Sequence, residues 1–315
     1  MKAIEIHSVT KKFGEVVAVN SLSLDVDRGE MCALVGPDGA GKTTTIRMMC
    51  GITPPTSGEI IVCGFNVRTQ PDEVKKRIGY LSQRFSLYGD LTVDENIEFF
   101  AEIHGVRDYH RRRDELLEFT RLTKFRDRLA EKLSGGMKQK LALACTLVHT
   151  PEVLFLDEPT TGVDPVSRRD FWKVLFSLLK GGITIIVTTP YLDEAERCTR
   201  VALMNEGKVL MADTPKNLTR VMNGEVVELI TPDIHSAFTA LKRSPRVVEV
   251  QAFGDRVNIV VRSASVDMKQ VVRELGDKNI AVSEWRVIPP SLENIFISLL
   301  SEYPSAQESR GEAVQ

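Results

Sequence analysis

Gly36-Pro37-Asp38-Gly39-Ala40-Gly41-Lys42-Thr43 decides how this sequence is read. The apolar run of residues 31–35 leads into it, and a helical pattern leaves it. A short, continuous apolar run ending at a glycine reads as a strand buried on both faces. Strand, glycine-rich loop and helix in that order make an anion cradle. The glycines let backbone N–H groups close around phosphates, and the helix points its positive end at them. Within the G-x-x-x-x-G-K-T spacing, Lys42 neutralises β- and γ-phosphates and Thr43 offers its hydroxyl to Mg²⁺. Nucleotide contacts are therefore expected from these eight residues and the adjoining Thr44.

Outward from this loop, residues 59–62, 153–156 and 184–187 are further short apolar runs. Helical spacing occupies residues 94–103, 109–120, 138–147 and 167–179. Strands alternating with helices predict an α/β domain with a largely parallel central sheet. Residues 3–9 alternate as a strand, with Lys11-Lys12-Phe13-Gly14 read as the turn that follows. Helical patterns dominate residues 92–137 and predict a helical insertion. The run Arg111 to Arg113, with Asp108, Asp114 and Glu115 nearby, reads as a solvated helix face. A second unit is expected over residues 223–303: strand 225–230, helix 234–242, a hairpin around Gly254-Asp255, helix 266–275, strand 280–287 and helix 291–300. That order, βαββαβ and a closing helix, predicts a small α+β, ferredoxin-like module. Residues 304–315 are polar and expected to be a disordered tail.

The composition narrows the possibilities. The 315 residues carry 41 basic and 43 acidic side chains, a net charge of −2, which speaks against a general binder of nucleic acid or anionic membranes. No apolar run approaches the roughly 20 residues a membrane span needs. The opening MKAIEIHSVTKKFG has no apolar h-region, so no secretory signal is expected. Cys32, Cys50, Cys63, Cys145 and Cys198 form no C-x-x-C pair and read as reduced, buried thiols of a cytoplasmic protein.

Two further features bear on chemistry. The strand at 153–156 ends in Asp157-Glu158, where one carboxylate can serve Mg²⁺ and the next can deprotonate a water. Leu133-Ser134-Gly135-Gly136-Met137 opens another helix and makes a second anion-binding N-terminus, which cannot easily serve the same phosphate as the first.

Together these pieces resemble the ATP-binding cassette (ABC) family over residues 1–219: the Walker A loop at Gly36 to Thr43, Gln83 at the Q-loop, the signature LSGGM, the Walker B segment VLFLDE and Gly162-Val163-Asp164 at the D-loop. The resemblance implies a P-loop NTPase cassette with a RecA-like core, an antiparallel N-terminal β part and a helical insertion. It implies ATP and Mg²⁺ as cofactors, with Phe13 stacking on adenine, Thr43, Gln83 and Asp157 serving the metal, and Lys42, Gln83 and Glu158 acting in catalysis. Ser134, Gly135 and Gly136 would close over the ATP of a second cassette, identical or different. The finer resemblance is to single-cassette ATPase subunits of bacterial drug, lipid or ion exporters, which carry an accessory domain ending like Pro289-Pro290-Ser291-Leu292-Glu293-Asn294-Ile295-Phe296. It implies a peripheral protein on the cytoplasmic face of the membrane, touching the membrane only through a permease that docks on residues 84–96, with Phe85 and Tyr88 as contacts. The helix at 292–300 is a candidate for dimer formation.

The sequence departs from that pattern twice. Met137 stands where the signature usually has glutamine, and Pro190 stands where a switch histidine contacts the γ-phosphate. Proline has no side-chain donor and no N–H. A slow site is expected, which leaves a working ATPase or, as the alternative, a nucleotide-gated cassette that completes a partner's site. His149 is expected to be structural.

Overall fold

The computed structural model describes residues 1–83, 87–222 and 224–302. Phe85 and the expected tail at 304–315 lie outside the described residues. The chain divides into two compact units, Met1–Thr214 and Pro215–Gln315.

In the first unit, β1 (Lys2–Phe13) and β2 (Val16–Asp27) form a hairpin, and β3 (Met31–Val35) leads through the glycine loop into α1 (Lys42–Met49). Then come β4 (Ser57–Val62), β5 (Phe65–Asn66), α2 (Pro71–Lys75) and β6 (Ile78–Leu81). The helices α3 (Val93–Ile103), α4 (His110–Thr120) and α5 (Gly135–Leu147) follow. The unit closes with β7 (Val153–Asp157), α6 (Pro165–Lys180), β8 (Thr184–Thr189), α7 (Leu192–Ala195), β9 (Arg200–Asn205) and β10 (Lys208–Asp213).

Two sheets result. The strands β2-β1-β4-β5 are antiparallel, and β10-β9-β3-β8-β7-β6 is parallel apart from its terminal hairpin. Every residue of β3, β7 and β8 is buried, which is why these strands read as unbroken apolar runs. Between the sheets and α1 sits a core that includes Leu34, Ile46, Met48, Ile60, Phe155 and Ile186. The carboxyl ends of β3, β7 and β8 lie side by side, and such strand ends are where open α/β sheets bind ligands.

Several expectations need correction. The turn read at Lys11 to Gly14 is strand up to Phe13, because Lys11, Lys12 and Phe13 pair with Val19, Val17 and Val16. The connection shrinks to Gly14-Glu15. The arginine run is not wholly a solvated face. Arg113, 17% exposed, lies 3.2 Å from Asp94, and Arg126 bonds both Asp94 and Asp114, tying α3 to α4. The second unit begins at Pro215, upstream of the boundary expected after residue 222, and takes α8 (Pro215–Arg220) with it.

That unit continues with β11 (Glu225–Ile230), α9 (Ile234–Leu241), β12 (Val247–Phe253), β13 (Arg256–Val261), α10 (Ala264–Gly276), β14 (Glu284–Ile288) and α11 (Leu292–Glu302). Its sheet is antiparallel in the order β12-β13-β11-β14, the ferredoxin-like arrangement. Val227, Leu229, Leu241, Ile259, Met268 and Leu275 belong to its core. The strand expected from residue 280 starts only at Glu284. Ile280 donates its N–H to Leu275 O at the end of α10, which keeps this stretch out of the sheet. Leu292, Ile295, Phe296 and Leu299 of α11 are buried within the chain, so ordinary packing accounts for the apolar stripe read as a candidate dimer surface. The five cysteines are free and buried, and burial pushes their thiols up, Cys32 to about 12 and Cys63 to about 11.

Phe155 is 0% exposed at the centre of β7. Phe155→Ala is expected to cost about 3–5 kcal/mol. Val166→Ala, at a surface site, is expected to stay within about 0.5 kcal/mol. Urea unfolding followed by circular dichroism measures both.

Candidate functional site

A cleft of about 400 Å³ opens at the end of β3, lined by Phe13, Val16, Val17, Ala18, Gln83, Glu158 and the loop from Asp38 to Thr44. Two glycines make the loop possible. A Cβ on Gly36 would sit 2.1 Å from Met204 O, and Gly41 takes φ 94° with its Cβ position 2.5 Å from Ala18 O. Larger residues at either place would collide with backbone that cannot yield. Lys42, 4% exposed, curls into its own loop and donates to Gly36 O at 2.8 Å and Pro37 O at 3.1 Å.

Asp157 is the hub. Fully buried, it accepts from Thr43 Oγ1 at 2.9 Å and from Thr188 Oγ1 at 2.8 Å, both on Oδ1. Burial and the neighbouring Asp157 push the Tyr80 phenol up. Glu158 follows in the left-handed region, φ 49°, and its N–H bonds Thr188 Oγ1 at 2.9 Å. Its carboxylate lies 3.5 Å from Lys42 Nζ and accepts from Gln83 Nε2 at 3.0 Å and Thr161 Oγ1 at 3.4 Å. Lys42, Gln83 and Glu158, the three residues expected to be catalytic, thus meet around one carboxylate. A Thr hydroxyl, an Asp oxygen and a Gln amide oxygen are hard donors that fit Mg²⁺. Among the described residues, no cluster of three or more His, Cys, Asp or Glu side chains could hold a metal unaided. A weak protein set is the arrangement expected for Mg²⁺ that also binds phosphate oxygens.

Phe13 lies on the cleft wall, 53% exposed, with Lys11 Nζ 4.9 Å from its ring centre. Ser134, Gly135 and Gly136 do not line this cleft. Ser134 caps α5 by accepting from Met137 N at 3.4 Å, and a Cβ on Gly136 would press on Ser167 Oγ of α6 at 2.5 Å. The two glycine-flanked helix starts, at α1 and α5, are therefore separate in one chain. His149 is structural, as expected: its Nε2 bonds Ile78 O at 2.9 Å and its ring stacks on His104. Burial and His149 push the His104 imidazole down to about 4.

Sequence reasoning missed Thr188, the second hydroxyl on Asp157, and the network around Glu194 described below. The available signal was the polar pair Thr188-Thr189 ending an otherwise apolar buried strand.

Residues 19–161 match the family described as ABC transporter, and residues 214–300 match the C-terminal domain of DrrA1-3-like ATP-binding proteins. The chain is 43% identical over 217 residues to the probable multidrug ABC transporter ATP-binding protein YbhF of Escherichia coli (strain K12), a match covering 68% of this chain and 38% of that longer protein. It is 34% identical over 318 residues to the daunorubicin resistance ATP-binding protein DrrA2 of Streptomyces coeruleorubidus, covering 99% of each. The dimeric post-hydrolysis structure of the ATP-binding cassette MJ0796 with ADP and Pi superposes with a TM-score of 0.61 at 28% identity, over 67% of this chain and 98% of that one. With the phosphate loop, the Asp157-Glu158 pair and the Ser134–Gly136 helix start all in place, the chain belongs to the ABC transporter family as one of its ATP-binding proteins.

Proposed function

We propose that this chain binds MgATP in the cleft, hydrolyses it together with a second cassette, and so drives export through a separate membrane permease. The observation that carries the reading is the meeting of Lys42, Gln83 and Glu158 beside the buried Asp157–Thr43 pair. A γ-phosphate gives Lys42 a stronger partner than the carbonyls of Gly36 and Pro37, so the ammonium turns to it and releases Glu158. Glu158 then takes a proton from the water that attacks the γ-phosphorus, and the bond to the β-phosphate oxygen breaks to leave ADP and inorganic phosphate. Bound Mg²⁺ would neutralise charge on the β- and γ-oxygens, held by Thr43, Asp157 and Gln83. Phe13 offers its ring to the adenine.

That Ser134 to Gly136 lie off the cleft supports a role toward the nucleotide of a second cassette. None of the described helices is long and apolar enough to cross a membrane, so the reading needs a separate permease, with the chain working at its cytoplasmic side as an ATP-binding subunit. Tyr88, 46% exposed, stacks edge-on against Phe99 of α3, and the adjoining Phe100 lines an apolar cleft of about 290 Å³. The exposed Tyr88 ring supports the docking surface expected at residues 84–96, whereas none of the described residues in that range lines the cleft beside Phe100. The relatives named for multidrug transport and daunorubicin resistance support export.

Purified chain is expected to hydrolyse ATP only with Mg²⁺, and Glu158→Gln is expected to abolish turnover while leaving ATP bound. Hydrolysis that survives the substitution would refute the assignment of the base. Pro190 removes a hydrogen bond to a charged phosphate, an effect of about 1.5–3 kcal/mol. Pro190→His is therefore expected to raise kcat about tenfold or more. An unchanged kcat would mean that the loop after β8 serves the γ-phosphate in another way.

A further inference from the structure

Glu194, on α7, is 1% exposed, and the other buried charged residues among those described in the first unit are Asp157 at 0% and Lys42 at 4%. Those two belong to the nucleotide cleft, and the reading above gives Glu194 no part. A carboxylate withdrawn from water is unfavourable unless well partnered, and apolar packing would serve stability as well. What the carboxylate does here is join two loops. Its Oε1 accepts from Thr160 Oγ1 at 2.7 Å, two residues beyond Glu158, and its Oε2 accepts from Thr189 Oγ1 at 2.8 Å, at the end of β8. Thr189 Oγ1 in turn accepts from Tyr191 N at 3.0 Å, closing a turn around Pro190. Arg168 Nε of α6 stands 3.4 Å from Oε1, and the same guanidinium lies over the Tyr191 ring at 4.7 Å.

We infer that Glu194 is a positioning residue for hydrolysis: it locks the loop around Pro190 in register with the loop that carries Glu158. The inference rests on the hydrolytic reading of the cleft. Proline cannot use its own N–H to fix the loop, so the brace comes from the hydroxyls on either side of a buried carboxylate. Glu158 is held to the same loop pair through Thr188 and Thr161. Loosening Glu194 therefore frees the base to drift without disturbing Lys42, Thr43 or the phosphate loop.

The test combines kinetics with hydrogen exchange on the nucleotide-free chain. Glu194→Ala is expected to lower kcat about 10- to 100-fold by misplacing the base, with KM for MgATP within about twofold. Amide exchange over residues 158–163 and 188–191 should accelerate in the same variant. Glu194→Gln keeps an acceptor and a donor for the two hydroxyls and is expected to restore kcat to within about threefold of the parent. Thr160→Val and Thr189→Val, which cut one bond each, are expected to lower kcat about three- to tenfold, and they decide the matter if Glu194→Ala fails to fold. Unchanged kcat in the alanine and valine variants, or a glutamine variant as impaired as alanine, would overturn the inference. If the parent chain shows no turnover that Glu158→Gln abolishes, the hydrolytic reading fails instead, and the exchange rates still report whether Glu194 braces the loops.

Discussion

Everything at this site depends on one buried carboxylate oxygen. Asp157 Oδ1 receives hydroxyls from Thr43, at the start of α1, and from Thr188, near the end of β8. In the sheet the strands run β3-β8-β7, so three neighbouring strand ends converge on that atom. A buried charge without donors would be costly, so both hydroxyls are held to it and the elements that bear them cannot shift independently. The start of α1 and the ends of β7 and β8 are thereby fixed relative to one another before any nucleotide arrives.

The same constraint shapes the resting site. With Asp157 anchored, Glu158 enters the left-handed region at φ 49°, a conformation that non-glycine residues rarely adopt and that recurs where geometry serves function. Its carboxylate turns toward Lys42 and Gln83, so Glu158 rests against the very cation that the phosphate is proposed to claim. The signature segment lies off the cleft: Ser134 caps α5, and Gly136 packs against Ser167 of α6.

How much of this was legible in the sequence follows from how local each signal is. The phosphate loop, its strand and its helix are encoded within residues 31–49, where glycine spacing and an unbroken apolar run leave little choice. The Asp157-Glu158 pair was legible because it ends a buried strand. Thr188 and Glu194 were not, because their partners lie far along the chain: 31 residues separate Thr188 from Asp157, and 34 separate Glu194 from Thr160. A threonine at the end of a strand looks the same whether or not a carboxylate waits across the sheet. The errors at residues 11–14 and 280–283 have one cause. A turn-like or strand-like composition yields to pairing across the sheet in the first case and to a helix end in the second. The arginines at 111–113 read as solvated because their acidic neighbours in sequence hid the tertiary partner, Asp94.

The most direct test of Asp157 as the centre of a MgATP site is calorimetric titration of ATP into the chain and into Asp157→Asn, each with Mg²⁺ and with EDTA. The account predicts that the parent binds ATP more tightly when Mg²⁺ is present. It also predicts that Asp157→Asn loses most of that dependence yet keeps the parent's affinity in EDTA. An asparagine variant whose affinity responds to Mg²⁺ as fully as the parent's would contradict it.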